Sequence, residues 1–128
     1  MTLEELIEAF QEDEADYTSW DLPRGAAGEC EDASYQFAHF CAKQGAKAGL
    51  LSLRGPKFKT DAPGCSPGHY VVWVKDFERA VDWTGRQYRV ATAYPLIQTL
   101  QEVKDEWEQL HNVKYINKEG YDYERTPA

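Results

Sequence analysis

Long apolar runs are missing from this sequence. None approaches the roughly 20 residues that a membrane-spanning helix needs, so no membrane partner is expected. Basic residues are missing from its start: Met1-Thr2-Leu3-Glu4-Glu5 is acidic where an export signal would be positive. A cytoplasmic chain is expected on that ground. Cysteine is sparse and odd in number, with three in 128 residues. In a chain without a signal this argues against a disulfide framework and for reduced thiols. Repeats and low-complexity tracts are absent too. What remains is 42% apolar residues and 28% charged ones, interspersed with aromatics. That mixture excludes a disordered or fibrous chain and suits one domain with a real core. The domain is expected over residues 1–116, with a polar, flexible tail over 117–128.

Charge is unevenly placed. Residues 1–32 hold eleven acids against one base, Arg24, in a chain of net charge −8. Such a surface repels phosphate backbones, so nucleic acid is not an expected partner. A solvated helix face is the simplest account of these acids. The sharper account is a surface that steers a basic partner.

Local signals divide the chain. Thr2 and Glu5 fit a capping box ahead of a helix to about Asp13, striped by Leu3, Leu6, Ile7 and Phe10. Asp21 to Gly28 reads as a turn-rich connector. Cys30 to Gln44 reads as a helix closed by Gly45. Lys47–Arg54 and His69–Lys75 read as strands on either side of a Pro/Gly-rich loop, Gly55–Gly68. Arg79–Trp83 reads as the partner of the second strand, joined through Asp76-Phe77. Gln87–Val90 is expected as a short third strand, and Pro95 as the first residue of a helix to about Leu110.

Three residues in this frame carry chemistry. Cys30 opens a helix whose stripe is Cys30, Ala33, Phe37, Phe40 and Cys41. A thiol there meets the positive end of the helix dipole and free N–H groups, which favour thiolate and a developing oxyanion. Glu29, Glu31 and Asp32 act against a negative sulfur. A buried, unreactive cysteine is the plain alternative. His69 opens a strand that is apolar on both faces. Asp82 stands between Val81 and Trp83, and a carboxylate in such a place needs a partner. If Lys75 pairs with Glu78, Val71 faces Asp82, and His69 lies diagonally from Asp82 on one face. A helix bringing Cys30 to that side completes nucleophile, base and orienting acid.

These residues resemble a family. Gly28-Glu29-Cys30 with Ala33 and Phe37, then His69 on a strand, then Asp82-Trp83-Thr84, is similar to the transglutaminase-like branch of the papain-like cysteine hydrolases. The stretch from His69 to Tyr88 also resembles small papain-like proteins of actinobacteria and their bacteriophages, and papain-like domains that end bacterial toxins. The resemblance spans roughly residues 25–97, with 39 positions from Cys30 to His69 and 13 from His69 to Asp82. It implies an α+β domain in which the nucleophile's helix packs on a small antiparallel sheet. It implies a thiol-dependent amide-bond hydrolase or acyltransferase using Cys30, His69 and Asp82 on a protein or peptide substrate, with no cofactor. Gly28, Glu29, Gly68, Trp83 and Gln87 are then expected to meet the substrate. Papain's glutamine upstream of the nucleophile has no counterpart here, since Arg24 stands six residues before Cys30; the oxyanion donors stay open. The rival expectation is a catalytically silent papain-like fold that binds a protein.

A zinc site from His39, Cys41, Cys65 and His69 is not expected. His39 and Cys41 lie two apart on a helix and point about 200° from each other. No metal is expected. Cys41 reads as core, and Cys65 as a loop residue near His69.

Overall fold

The computed structural model describes residues 1–13, 16–62 and 67–127, with the backbone alone for 16–18. Cys65, and the part of the Gly55–Gly68 loop that holds it, lie outside the described residues. Among the described residues the chain is a mixed α+β fold of four helices and a six-stranded antiparallel sheet. The helices are α1 (Leu3–Asp13), α2 (Pro23–Ala26), α3 (Cys30–Lys43) and α4 (Leu100–Glu106). The strands are β1 (Ala48–Pro56), β2 (Gly68–Val74), β3 (Arg79–Asp82), β4 (Leu96–Gln98), β5 (Trp107–Ile116) and β6 (Asp122–Thr126). Their order across the sheet is β4-β3-β2-β1-β5-β6. No helix among the described residues is long and apolar enough to cross a membrane.

The first helix starts as its sequence dictates. Thr2 N–H donates to the Glu5 carboxylate at 2.8 Å, and Glu5 N–H to the Thr2 hydroxyl at 3.1 Å. Leu3, Leu6, Ile7 and Phe10 are the buried stripe. After α3, Gly45 takes a positive φ of 90°, and the chain turns directly into β1.

Both faces of the sheet are covered, which explains why β2 is apolar on both sides. One face carries Ala48, Leu50, Val72, Val74 and Val81 against Phe10, Phe37, Phe40 and Cys41 of α1 and α3. The other carries Leu51, Val71, Trp73, Ala80 and Val113 against Val103 of α4, Tyr88 and Trp107. Alternation then fixes each side chain's side from its parity.

Three sequence expectations are corrected. Gln87–Val90 is not a strand; Gly85–Gln87 is a 3-10 turn, and β4 pairs with β3 in its stead. Pro95 does not open a helix to Leu110. Leu96, Leu100, Val103, Trp107 and Leu110 recur at helical spacing, but the helix is only α4. Its capping box is Thr99 with Glu102, and it ends where Trp107 enters β5. Finally, the polar tail contains β6, which pairs with β5. The turn between them is built by Asn117, whose Oδ1 accepts from Glu119 N–H and Tyr121 N–H at 3.1 and 2.9 Å. A polar edge strand of this kind has no hydrophobic pattern to announce it.

Candidate active site

The β2–β3 ladder has the register that the parity argument needs: Val72 opposite Val81, Trp73 opposite Ala80, Val74 opposite Arg79. His69 and Asp82 therefore project from one face at the ends of adjacent strands. His69 Nε2 donates to Asp82 Oδ2 at 2.8 Å. Both are buried, His69 at 1% exposure and Asp82 at 7%. The other carboxylate oxygen, Oδ1, accepts the Thr84 backbone N–H at 3.0 Å. Gly85 follows closely: a Cβ there would stand 3.1 Å from Oδ2 and 3.3 Å from Thr92 Cγ2. The acid is thus fixed by its own chain immediately downstream.

Cys30 comes to this pair by a route the sequence reading had wrong. α3 packs on the face of Val72 and Val74, opposite to the face of His69 and Asp82. The thiol meets the imidazole across the margin of the sheet. The β2–β3 ladder stops at Val72–Val81, and the next N–H on that edge of β2, from Tyr70, donates to the Cys30 sulfur. The thiol also hydrogen-bonds His69. Because Nε2 is engaged by Asp82, Nδ1 is the ring nitrogen that faces Cys30.

Aromatic rings hold the histidine. Trp107 stacks on it at 5.5 Å between centroids, and Tyr88 meets it edge-on at 4.8 Å. The Tyr88 hydroxyl donates to the Gly68 carbonyl at 2.6 Å, which pins the start of β2. Gln87, 5% exposed, places Nε2 at 3.3 Å from His69 Nδ1 and 3.2 Å from Thr84 Oγ1. Arg86 reaches the segment before α3: it donates to the Asp21 carbonyl at 2.8 Å and bonds the Asp21 carboxylate. The turn that fixes the acid and the connector that leads to the thiol are thereby tied together.

The electrostatics follow from these contacts. Burial pushes the Cys30 thiol up, but the hydrogen bond and charge of His69 and the Tyr70 N–H outweigh it, and the thiol lies below its ordinary value. Asp82 is the acid that opposes the thiolate. Glu31 is occupied elsewhere, accepting the Tyr70 hydroxyl. For His69, burial disfavours the charged ring. The Asp82 charge and hydrogen bond, with those of Cys30, reverse this and carry it up to about 9. Cys41 behaves oppositely to Cys30: it is fully buried, and burial with the Asp76 charge pushes it up to about 12.

Of the residues expected at a substrate, Gly28 has a positive φ of 77° and open space where a Cβ would stand. Glu29 is the half-buried residue before α3, and its carbonyl accepts the Ala33 N–H. Gly68 lends its carbonyl to Tyr88, and Gln87 turns to His69. Trp83 is corrected: at 2% exposure it packs among Phe10, Trp20, Phe37 and Tyr94 in the core. Trp107 and the Tyr70 N–H escaped the sequence reading. No local pattern places Trp107 on a histidine 38 positions earlier. The Tyr70 N–H could have been found by extending the ladder parity one step beyond its end.

Cys41 points into the core, whereas His39 Nε2 donates to the Lys118 carbonyl at 3.0 Å, so the two diverge on α3. Among the described residues no group of three or more His, Cys, Asp or Glu could hold a metal ion. Comparison with models of protein families, with curated proteins and with solved structures gave no match. The geometry of Cys30, His69 and Asp82 is what bears on function.

Proposed function

We propose that this chain is a thiol-dependent amide-bond hydrolase or acyltransferase of the papain-like, transglutaminase-like kind. One observation carries the reading: a buried His69 linked to Asp82 through Nε2 and to the Cys30 thiol on its other side. Lone cysteines and lone histidines are usually structural. A thiol, an imidazole and a carboxylate joined in that order, from three different elements, form the arrangement that activates a sulfur nucleophile.

In this reading the thiol proton rests on His69 Nδ1, leaving an imidazolium beside a thiolate. The sulfur attacks the carbonyl carbon of an amide, forming C–S while the C=O π pair moves to oxygen. Nδ1–H then protonates the departing nitrogen as C–N breaks, leaving a thioester on Cys30. Water or an amine, deprotonated by Nδ1, displaces the sulfur and restores the thiol. Asp82 keeps Nε2 protonated throughout, so Nδ1 is always the working nitrogen. The oxyanion falls to the first-turn N–H groups of α3, and Gly28 leaves the approach open. Peptide, isopeptide and glutamine side-chain amides all satisfy this scheme.

Electrophile labelling tests the reading. At pH 7 a cysteine-directed chloroacetamide should modify Cys30 and leave Cys41 untouched, because Cys41 is buried and its thiol is strongly disfavoured as thiolate. Intact mass and peptide mapping give the result. Labelling of Cys30 no faster than an unstructured cysteine peptide, with the fold intact, would favour the silent binding module.

A further inference from the structure

We propose that the Gln87 amide is a brake on the Cys30–His69 pair, donating to His69 Nδ1 and favouring the neutral imidazole with a protonated thiol. The proposal rests on the reading of Cys30 and His69 given above and concerns the regulation of that site.

The argument starts from the imidazole's two nitrogens. Nε2 faces a carboxylate oxygen at 2.8 Å and so carries a hydrogen. In the neutral ring Nδ1 is then an acceptor with a single in-plane lone pair. Two donors compete for that pair. One is the Cys30 S–H, and the other is Gln87 Nε2 at 3.3 Å. The amide's nitrogen end is the end that suits an acceptor; its oxygen would repel the lone pair. The amide's position is also held, since Nε2 lies 3.2 Å from Thr84 Oγ1 in a site only 5% exposed at Gln87.

Forming the ion pair moves one proton from Sγ to Nδ1, giving thiolate and imidazolium. Nδ1 then carries a hydrogen, so the Gln87 N–H must give up its acceptor. The other N–H keeps Thr84 Oγ1. The amide therefore stabilises the state before proton transfer and not the state after it. Among the described residues, the other groups facing the ring do not do this. Asp82 from β3 and a thiolate at Cys30 from α3 both favour the charged ring. Tyr88 directs its hydroxyl to the Gly68 carbonyl, and Trp107 from β5 brings no charge. On the thiol side, the Tyr70 N–H favours thiolate and the Asp82 charge disfavours it.

The test is the pH profile of Cys30 alkylation by iodoacetamide, read by peptide mass, in the wild type and in Gln87→Leu. Removing the amide leaves Nδ1 to the thiol proton alone. The inflection should fall by about half a unit or more, and the rate at pH 6 should rise about twofold after the lower nucleophilicity of a less basic thiolate is allowed for. Thr84→Val, which removes the anchor and spares the amide, should move the profile the same way by less; it also covers a failure of Gln87→Leu to fold. An unchanged inflection would overturn the proposal and leave Gln87 a packing residue. An upward shift would overturn it too, since the amide oxygen would then be facing Nδ1–H. Failure of the underlying pair is distinguishable: His69→Gln would then share the wild-type profile.

Discussion

Asp82→Ala is expected to cost about 2–5 kcal/mol of stability, through buried donors left without an acceptor, and to remove Cys30 from its reactive form at neutral pH. The stability loss starts at His69, which is 1% exposed and whose Nε2–H would lose its acceptor. The Thr84 N–H would also lose its acceptor, Asp82 Oδ1. The change in reactivity has a definite sign. Burial lowers the His69 pKa, and Asp82 is the main reason that it is raised instead. Without the carboxylate, burial is opposed by Cys30 alone, and the ring should give up its proton at a lower pH. Cys30 then loses the charge that offsets its own burial, and its thiol moves up. Asp82→Asn separates the two effects. It keeps the shape and an acceptor for Thr84, so it should cost less stability while giving the same upward shift. Urea denaturation and an alkylation profile of each variant supply the comparison. A wild-type profile in both would show that Asp82 does not control the imidazole.

Phe10→Ala is expected to cost a similar 3–5 kcal/mol, through a cavity and not through charge. Phe10 is fully buried and touches four rings: Phe37 and Trp83 at 5.0 Å, Phe40 at 5.5 Å and Trp20 at 6.3 Å. Phe37 and Phe40 stand on α3, Trp20 before α2 and Trp83 after β3, so no single side-chain shift can fill the gap. In a domain of this size the loss corresponds to a fall in melting temperature of roughly 10–20 °C. The cavity also lies beneath Trp83, the residue after Asp82, so alkylation of Cys30 should slow as well. A drop of only a few degrees by calorimetry would show that α1 is a loosely attached cover.

Much of this was legible because its signals are local. The capping box of α1, the buried stripe of α3 and the glycine at its end each lie within a few residues. The His69–Asp82 contact was legible for a related reason. A tight connection between β2 and β3 fixes the register, and register with parity fixes which side chains share a face. What escaped was long-range. Trp107 stacks on His69 only because β5 lies beyond β1 in the sheet, and nothing near Trp107 says so. Its apolar neighbours repeat at helical spacing, yet Trp107 is the first residue of β5. The side on which α3 packs was also misjudged. Parity places His69 on one face, but Cys30 reaches it past the end of the ladder. A sheet margin is a feature of three strands together and is not written in any one of them.

The central claim is that a charged His69 holds Cys30 as a thiolate, and one measurement addresses it most directly. Iodoacetamide alkylation of Cys30 is followed against pH in the wild type and in His69→Gln, which keeps a polar side chain but cannot take up the proton. The wild type should inflect below the free-thiol value of about 8.5. In the variant, burial acts on the thiol unopposed by an imidazolium, and the inflection should move up, toward or above that free-thiol value. The position of the inflection decides, because a more basic thiolate is also a better nucleophile and partly masks the change in rate. Two profiles that superimpose would contradict the account.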